Sequence, residues 1–487
     1  MGQRADGTTG QGGKPILIKN CLRVATLDAG MREIEGGDIL IRGNRIARVG
    51  KNLKAPGAAR VIDGRGKVAL PGFVNTHHHL YQTFQRNVPY MQNAELFDWL
   101  VALYEIWREL TPDVVRTSAQ VGMGELLLTG CTTTTDHFYV FPKKVSTHLI
   151  DEEIFAARDI GIRFLATRGS MSRGRSKGGL PPDDVVQTED EILRDSERVI
   201  ERHHDPSSDS MCRIALSPCS PFSVTSGLLK DSADLAREKG VRLHTHLAET
   251  KDEETFCMKT HRMRPFEYME RVGWVGSDVW YAHAIFLSDR EICEMARTGT
   301  GAAHCPCSNQ RLGSGIASVP KMLKAGVPVG LGVDGSASND SSDMLGELRS
   351  ALLLHRVLGG ASAITTDDVL RMATQGGARV LGFEDIGSIE SGKLADIVLW
   401  DMERLGYAGA MHDPVAALLY CGDSHVADTV LVNGEVVVRD GRLTCVDEDH
   451  LIQKANRLAG AQIRRAARRT RINYFERKLW RRNRRGN

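Results

Sequence analysis

The sequence predicts an α/β fold, a (β/α)8 TIM barrel joined to a small β-sandwich that is formed from both chain ends. Three patterns predict it. Through the middle of the chain, eight apolar, strand-like runs alternate with helical stretches, as in a barrel of buried parallel strands. Both flanks are instead rich in short β-like runs separated by tight turns. Polar residues gather where the apolar runs end, which is where barrel enzymes place their active sites.

The two flanks predict the sandwich. Residues 14–70 form a series of short strand-like runs, with Gly43-Asn44 as a hairpin turn. Residues 395–401 and 429–438 have the same β character, and Asn433-Gly434 supplies a second turn. We therefore predict five segments, which are a disordered lead-in over 1–14, the first part of the sandwich over 15–70, a metal-dependent barrel over 71–384, the second part of the sandwich over 385–448, and an Arg-rich helix or tail over 449–487.

The middle of the chain predicts the barrel. The helical stretch that follows the first strand, residues 94–128, is unusually long. It carries Trp99 and Trp107, which either line a ligand cavity or belong to the core, and we favour the core because large aromatics on helices are highly buried on average. The predicted barrel strands are 68–79, 131–140, 161–171, 212–219, 241–249, 279–287, 299–309 and 327–336.

Length and composition exclude several classes of protein. A chain of 487 residues suits a large barrel with an accessory unit. No apolar run reaches the length of a membrane span, and the N-terminus lacks the apolar segment of a secretory signal. Ten cysteines without a CxxC pair favour free thiols in a reducing compartment over a disulfide framework or a zinc finger. We therefore predict a cytoplasmic protein with no membrane span.

The C-terminal stretch is strongly basic. Residues 464–485 carry a charge of +10 in a chain of net charge +2, which leaves the rest of the chain at −8. Such a block can bind nucleic acid or anionic lipid. We favour a solvated helix face or a loose tail, and we do not expect a nucleic-acid partner. A helix here could dock on the acidic body through apolar residues at suitable spacing, which are Ile463, Ala467, Ile472, Phe475 and Leu479.

The stretch PGFVNTHHHL, residues 71–80, ends the first predicted barrel strand with three histidines. In an extended strand side chains alternate sides and advance about 3.3 Å per residue, so His77 and His79 face the same way about 7 Å apart. This separation lets two imidazoles bind one cation, whereas His78 faces away. Taken alone, the pattern also fits a strand end with hydrogen-bonded or surface histidines.

Three further strand ends carry residues that suit a metal site. Strand five ends HTHLAET, with His246 near the rim and Glu249 three residues later. Strand six carries His283, and Asp334 follows the apolar run of strand eight. Three imidazole nitrogens and one carboxylate oxygen, with a position left for water, describe a catalytic zinc site rather than a structural one. The candidate metal ligands are His77, His79, His246 and Asp334.

The other polar groups suit hydrolysis. A cation of this kind acidifies its bound water toward neutral pH. Glu249 is placed to carry protons to a leaving nitrogen, and Asp334 to orient the attacking water. His283 can polarise the atom that is attacked, although a buried histidine with satisfied hydrogen bonds is the alternative.

These motifs resemble those of the amidohydrolase superfamily, in particular its mononuclear cyclic-amidine deaminases. PGFVNTHHH, HTHLAET, YAHA, HCPCSN and GLGVDGSASND carry the resemblance, which extends from about Leu17 to Val446. It implies the four ligands above and the catalytic roles of Glu249 and His283. Strand four ends SPCSPFSV, without the lysine that binuclear members carry there, so the resemblance implies one divalent metal ion, zinc, with iron as the alternative.

Several stretches are closer still to the 8-oxoguanine deaminase group, among them HHHLYQTFQRNVPYMQNAELFDWL and TRGSMSRGRSKGGLPPDDVV. That group includes isoxanthopterin-type deaminases and hydroxyatrazine-type ethylaminohydrolases. Guanine deaminases carry an arginine in a PRF motif where this chain has Pro218-Cys219-Ser220, which argues against guanine as the substrate. The resemblance implies release of ammonia from 8-oxoguanine, with isoxanthopterin and removal of ethylamine from a hydroxylated triazine as alternatives.

Two residues are candidates for binding a heterocyclic substrate. Gln82, three residues past His79, offers an amide donor and acceptor. Arg168 ends strand three and either binds a substrate oxygen or forms a structural ion pair. An alternative of another class is a barrel that serves as a non-catalytic scaffold, but this chain keeps every candidate ligand. We expect the enzyme to assemble as a homodimer.

Overall fold

The computed structural model describes residues 14–57, 59–146, 148–421, 426–478 and 480. The predicted lead-in over 1–14 lies outside the described residues except for Lys14, and so do residues 481–487 of the Arg-rich segment. In the described part of the chain, the strands of the terminal sheet are β1 Ile16–Ala25, β2 Glu33–Arg42, β3 Arg45–Gly50, β4 Arg60–Asp63, β5 Lys67–Pro71, β14 Ile397–Asp401, β15 Thr429–Val432, β16 Glu435–Arg439 and β17 Arg442–Leu443.

The eight strands that lie between β5 and β14 in the sequence are parallel and close into a barrel. They pair in chain order, and the last strand pairs with the first. Every strand is buried or nearly so, as the continuous apolar runs predicted. The α/β barrel class is therefore confirmed. The barrel strands are β6 Phe73–Asn75, β7 Cys131–Thr135, β8 Arg163–Ser170, β9 Cys212–Pro218, β10 Arg242–Leu247, β11 Val279–His283, β12 Gly301–His304 and β13 Val329–Leu331.

Helices follow the barrel strands and form its outer layer. Half of the described helices begin at a Thr, Ser or Asp whose side chain caps the first turn, and several end at a glycine in the left-handed conformation, so local sequence sets where they start and stop. The described helices are α1 Leu96–Trp107, α2 Pro112–Leu128, α3 Leu149–Ile160, α4 Glu189–His203, α5 Ser226–Lys239, α6 Lys251–His261, α7 Pro265–Arg271, α8 Asp289–Thr298, α9 Pro306–Leu312, α10 Val319–Ala325, α11 Ser336–Asn339, α12 Met344–Gly359, α13 Thr366–Arg371, α14 Gly377–Leu381, α15 Pro414–Tyr420 and α16 Glu448–Thr470.

The terminal strands form one mixed, mostly antiparallel sheet in the order β17-β16-β15-β14-β5-β1-β2-β3, with β4 pairing to β1. The two chain ends meet where β5 pairs with β14, with Leu70 opposite Val398. The sheet has an apolar core of its own, which includes Ile18, Ile39 and Leu399. Both predicted turns are present, since Gly43-Asn44 joins β2 to β3 and Asn433-Gly434 joins β15 to β16.

Several predicted elements were too long, and two of them divide into separate elements. The strand predicted over 68–79 divides at Gly72, so that β5 belongs to the terminal sheet and β6 to the barrel. A side chain at Gly72 would overlap Thr132, which explains why the chain crosses between the two sheets at a glycine. The helical stretch predicted over 94–128 is two helices, because Thr111 caps a new helix that has Pro112 in its first turn.

Most of the basic C-terminal stretch that the structure describes docks on the barrel, as its apolar spacing allowed, rather than forming a loose tail. Helix α16 packs against α1 and α2, and its last residue is Thr470. Phe475 lies beyond the helix and is exposed. All ten cysteines are free. Among the described residues, none of the helices combines the length and apolar character that a membrane span requires.

Candidate active site

The candidate active site lies at the carboxyl ends of the barrel strands. His77 and His79 follow β6 directly, rather than lying on the strand itself. The backbone of Asp334, beyond β13, continues the barrel pairing, since its N–H donates to the carbonyl of His77 over 3.0 Å. His246 lies on β10 and His283 ends β11. All five side chains are buried or nearly buried, so they face each other in an environment with little water.

Three histidine Nε2 atoms converge with one carboxylate. The Nε2 atoms of His79 and His246 are 3.1 Å apart. Oδ1 of Asp334 lies 3.3 Å from Nε2 of both His77 and His79. These contacts bring the four side chains that the sequence predicted as ligands into one cluster.

The hydrogen bonds of the opposite ring nitrogens fix the tautomers. Nδ1 of His79 lies 2.8 Å from the carbonyl of His137, and Nδ1 of His246 lies 2.7 Å from the carbonyl of Cys219. Because a carbonyl only accepts, each Nδ1 carries the proton and each Nε2 presents a lone pair. Burial also lowers the pKa of His77 and His246 well below the usual range, which keeps these rings neutral.

Asp334 is held as a carboxylate. Its Oδ2 accepts hydrogen bonds from the hydroxyls of Ser308 at 2.5 Å and Ser338 at 3.0 Å, and its Oδ1 accepts from the Gly335 N–H at 2.6 Å. Burial would raise its pKa, but the contacts with His77 and the other histidines hold the pKa well below its usual range. The backbone of Asp334 has φ +61°, a conformation that is uncommon outside glycine and is concentrated at functional sites.

This donor set fits a divalent cation. Nε2 of His77 is buried and has no hydrogen-bond partner, so its lone pair faces the convergence point unsatisfied. Zinc accepts three imidazoles and one carboxylate as ligands in catalytic sites. Burial would lower the pKa of His79, but contact with Asp334 raises it, and a cation would displace the proton that this ring takes up. Among the described residues, two groups have side chains close enough to share an ion, and both contain His77. They are His77, His79, His137 and His246, and His77, His283 and Asp334.

Glu249 and His283 lie beside this cluster. Oε2 of Glu249 is 3.8 Å from Nε2 of His283, whose Nδ1 lies 2.9 Å from Oδ1 of Asn309. Nε2 of His283 is also 3.9 Å from Oδ2 of Asp334. Burial raises the pKa of Glu249, which suits a carboxyl group that takes up and gives back a proton.

A cavity opens in front of these groups, and His79, His246, Glu249 and Asp334 are among the residues that line it. Gln82 lines it, and its Oε1 is buried without a hydrogen-bond partner. A side chain at Gly335 would overlap the amide of Gln82, so a glycine is needed there for Gln82 to line the cavity. Trp99 also lines the cavity, and its Nε1 is unpartnered as well. The aromatic residues of the wall are Trp99, Tyr104, Tyr139 and Phe222.

Arg168 does not reach the cavity. Its guanidinium is fully buried, and it donates to Asp195 at 2.7 Å and to Gln187 at 2.8 Å. The ring of Phe141 lies against the guanidinium, at 3.9 Å. Of the two interpretations that the sequence allowed, this geometry favours the structural ion pair over contact with a substrate.

Two histidines of the site did not emerge from the sequence. His137 follows β7 and stacks on His246, with 4.6 Å between the ring centroids. His244 lies on β10 two residues before His246, and its Nε2 is 2.8 Å from Nδ1 of His77. The alternation of side chains along β10 places His244 and His246 on one face, and the HTH motif was the available signal for it.

The comparisons with known proteins agree with this geometry. Residues 68–437 match the model of the amidohydrolase family. The 8-oxoguanine deaminase of Pseudomonas aeruginosa is 44% identical over 447 residues, which are 92% of this chain and 98% of that protein. The hydroxydechloroatrazine ethylaminohydrolase of Pseudomonas sp. strain ADP is 36% identical, over 89% of this chain and 93% of that protein. A zinc complex of the atrazine chlorohydrolase TrzN from Arthrobacter aurescens TC1 superimposes with a TM-score of 0.88 at 38% identity, covering 91% of this chain and all of that one.

Proposed function

The chain belongs to the amidohydrolase family, and we propose that within this family it hydrolyses 8-oxoguanine, releasing ammonia. One observation carries the proposal. His79, His246 and Asp334 line one cavity together with Glu249, a carboxyl of raised pKa, and with Gln82, whose amide oxygen is buried without a partner. This combination supplies a metal site, a proton carrier and a recognition group for the edge of a ring. The 44% identity to an 8-oxoguanine deaminase supports this choice of substrate.

We assign the metal to the four convergent ligands. A divalent cation held there would acidify a water molecule and so provide a nucleophile at neutral pH. The nitrogen-rich ligand set favours zinc, and iron is the alternative. The ligands are His77, His79, His246 and Asp334.

The remaining residues move protons and stabilise charge. Asp334, fixed by two serine hydroxyls, orients the attacking water toward the amidine carbon. Glu249 takes up a proton from this water and delivers it to the departing nitrogen, for which its raised pKa is suited. His283, whose Nδ1 donates to Oδ1 of Asn309, would in its protonated form donate from Nε2 to the ring atom on which negative charge develops.

Gln82 would bind the substrate through its amide. A buried amide oxygen without a partner is costly, so a ring N–H that donates to Oε1 would be recognised strongly. Purines with carbonyl groups present such ring N–H donors. We leave Arg168 outside the substrate site, because its guanidinium is occupied by Asp195 and Gln187.

A substrate panel tests this assignment. Metal-replete enzyme is incubated with 8-oxoguanine, isoxanthopterin, guanine and hydroxyatrazine, and the released ammonia or ethylamine is measured, with Glu249→Gln as the control for contaminating activity. We expect the highest kcat/KM for ammonia release from 8-oxoguanine. Faster release of ethylamine from hydroxyatrazine would overturn the substrate assignment and leave the aminohydrolase assignment intact.

Ethylamine removal is the second candidate function, because the ethylaminohydrolase relative is 36% identical over most of both chains. It needs the same catalytic groups and a differently shaped cavity. A non-catalytic scaffold is the alternative of another class. Native protein without stoichiometric zinc or iron would favour the scaffold.

Two further expectations stay proposals. Ten free cysteines agree with a reducing cytoplasm. A homodimer remains our expected assembly, and light scattering coupled to size exclusion measures it directly.

A further inference from the structure

The C-terminal helix α16 contains a glutamine that is fully buried, Gln462, in a stretch otherwise rich in arginine. The helix lies outside the barrel, and it contacts α1 and the 3₁₀ helix formed by Leu80–Gln85. That 3₁₀ helix begins directly after His79. Gln462 therefore lies between two elements that build the candidate active site.

A chain of hydrogen bonds joins Gln462 to both elements. Nε2 of Gln85 donates to Oε1 of Gln462 over 2.9 Å, and Nε1 of Trp107 donates to Oε1 of Gln85 over 3.1 Å. The Nε2 group of Gln462 points to the carbonyl of Ile106 at 3.4 Å. All of these groups are buried, so each bond satisfies a polar group that water cannot reach.

This series of hydrogen bonds leads to residues in the wall of the cavity. Trp107 packs edge-on against Trp99 and Tyr104, with ring centroids 5.8 Å and 5.4 Å away, and both of these rings line the cavity. Gln85 lies on the same 3₁₀ helix as Gln82, whose amide faces the cavity. A shift of Gln462 would thus be transmitted to the aromatic wall and to the amide together.

Arginines of the same helix fasten it to α1. Arg469 pairs with Glu105 at 2.5 Å and with Glu109 at 3.0 Å, and Arg465 pairs with Glu109 at 3.5 Å. The basic residues that the sequence analysis singled out therefore lie over Glu105, on the helix that carries Trp99, and over Glu109, just after the end of that helix. These ion pairs hold α16 in the position in which Gln462 contacts Gln85 and the carbonyl of Ile106.

We propose that Gln462 is a positioning residue for the substrate cavity, acting through Gln85 and Trp107. Its side chain sets the spacing between the 3₁₀ helix and α1, and hence the width of the slot between the Gln82 amide and the Trp99 ring. Because it is remote from the reacting atoms, it controls substrate binding rather than the chemical step. The kinetic part of this inference depends on the proposed function, whereas the structural part does not.

The test replaces Gln462 by leucine, which has similar volume but makes no hydrogen bond. Gln453→Leu is the matched control, since Gln453 is exposed on the same helix. In full-length, metal-replete protein we expect Gln462→Leu to raise the KM for 8-oxoguanine about tenfold, with kcat changed less than about twofold. Hydrogen exchange should become faster in peptides covering 80–85 and 96–110 and remain unchanged in the barrel strands. Gln453→Leu should leave both measurements as in the wild type.

Gln462→Glu is the second variant. A protonated carboxyl matches the amide in shape and in its ability to accept and donate, and burial raises its pKa. We expect near wild-type KM at about pH 6 and a raised KM at about pH 8, relative to wild type at each pH. This variant carries the kinetic test if Gln462→Leu does not fold.

Three outcomes would overturn the proposal. They are an unchanged KM in Gln462→Leu, a rise in KM that Gln453→Leu matches, and a KM ratio for Gln462→Glu that does not vary with pH. If the wild type fails to deaminate 8-oxoguanine, the proposed function fails separately. In that case, hydrogen exchange alone decides the inference, and unchanged exchange over 80–85 and 96–110 would overturn it.

Discussion

Nδ1 of His77 and Nε2 of His244 lie 2.8 Å apart in the interior of the barrel. Nδ1 of His244 is 3.0 Å from the carbonyl of Trp280, so this nitrogen carries the proton and Nε2 accepts. His77 must then donate from Nδ1, which leaves its Nε2 lone pair free for a cation. A backbone carbonyl on β11 thereby sets the tautomer of a ligand that follows β6.

Replacing His244 should weaken metal binding. In His244→Phe the aromatic ring can still stack on Trp280, as it does at 4.3 Å in the wild type, but the acceptor for His77 is lost. We expect the Kd for zinc to rise about 10- to 100-fold. Competition with a chromophoric chelator measures the Kd, and His412→Phe, at an exposed position, is the control. An unchanged Kd would mean that His77 selects its tautomer without His244.

Glu249→Gln should retain the metal and lose turnover. Glutamine keeps the shape of the side chain but cannot carry a proton between water and the leaving nitrogen. We expect kcat to fall about 10²- to 10⁴-fold with an unchanged zinc content, measured by a coupled ammonia assay and by elemental analysis. Glu238→Gln, an exposed change on α5, should behave as the wild type. Near-normal turnover in Glu249→Gln would remove this residue from the mechanism.

Arg168→Met should destabilise the fold without changing substrate affinity. The change leaves Oε1 of Gln187 without its hydrogen-bond donor. Asp195 still accepts a hydrogen bond from Arg198 over 2.7 Å. We expect a loss of about 3 kcal/mol in the free energy of unfolding, measured by urea titration, and an unchanged KM. Arg297→Met breaks an exposed pair with Glu294 and should leave stability unchanged. A raised KM with unchanged stability would restore Arg168 to the substrate site.

Glu347 should make stability depend on pH. Burial raises its pKa to about 8, so between about pH 4.5 and 8 the folded protein holds a proton that unfolding releases. Stability should therefore fall as pH rises through this window. When the pH rises from 6 to 8, the wild type should lose on the order of 2 kcal/mol more unfolding free energy than Glu347→Gln. Glu435→Gln, exposed on β16, is the control, and identical pH profiles in wild type and Glu347→Gln would refute the assignment.

The sequence predicted the convergence of His77, His79, His246 and Asp334 because the carboxyl ends of parallel strands meet on one face of a barrel. The sequence did not predict the backbone conformation of these residues. The strand prediction for 68–79 treated both histidines as extended, whereas β6 ends at Asn75 and the two histidines lie in the connection after it. Periodicity cannot separate a strand from an extended connection of the same composition.

Contacts between segments that are distant along the chain could not be predicted from the sequence. Trp99 could be assigned to the core but not to the cavity wall, because burial in a core and burial against a ligand cavity leave the same pattern on a helix. The choice between the two roles of Arg168 required its partner on α4, Asp195, which is 27 residues away along the chain.

The pairing of β5 with β14 has a consequence for synthesis of the protein. β5 is complete when residue 71 has been made, but its partner begins at residue 397. Arg163, buried in the barrel, likewise obtains its counter-ion from Asp396. At a translation rate of about 5–20 residues per second, the ribosome would need roughly 12 to 65 seconds to reach these partners. During this interval β5 can pair with β1 on one side only, so its other edge stays open to pairing with another chain, and Arg163 lacks its counter-ion.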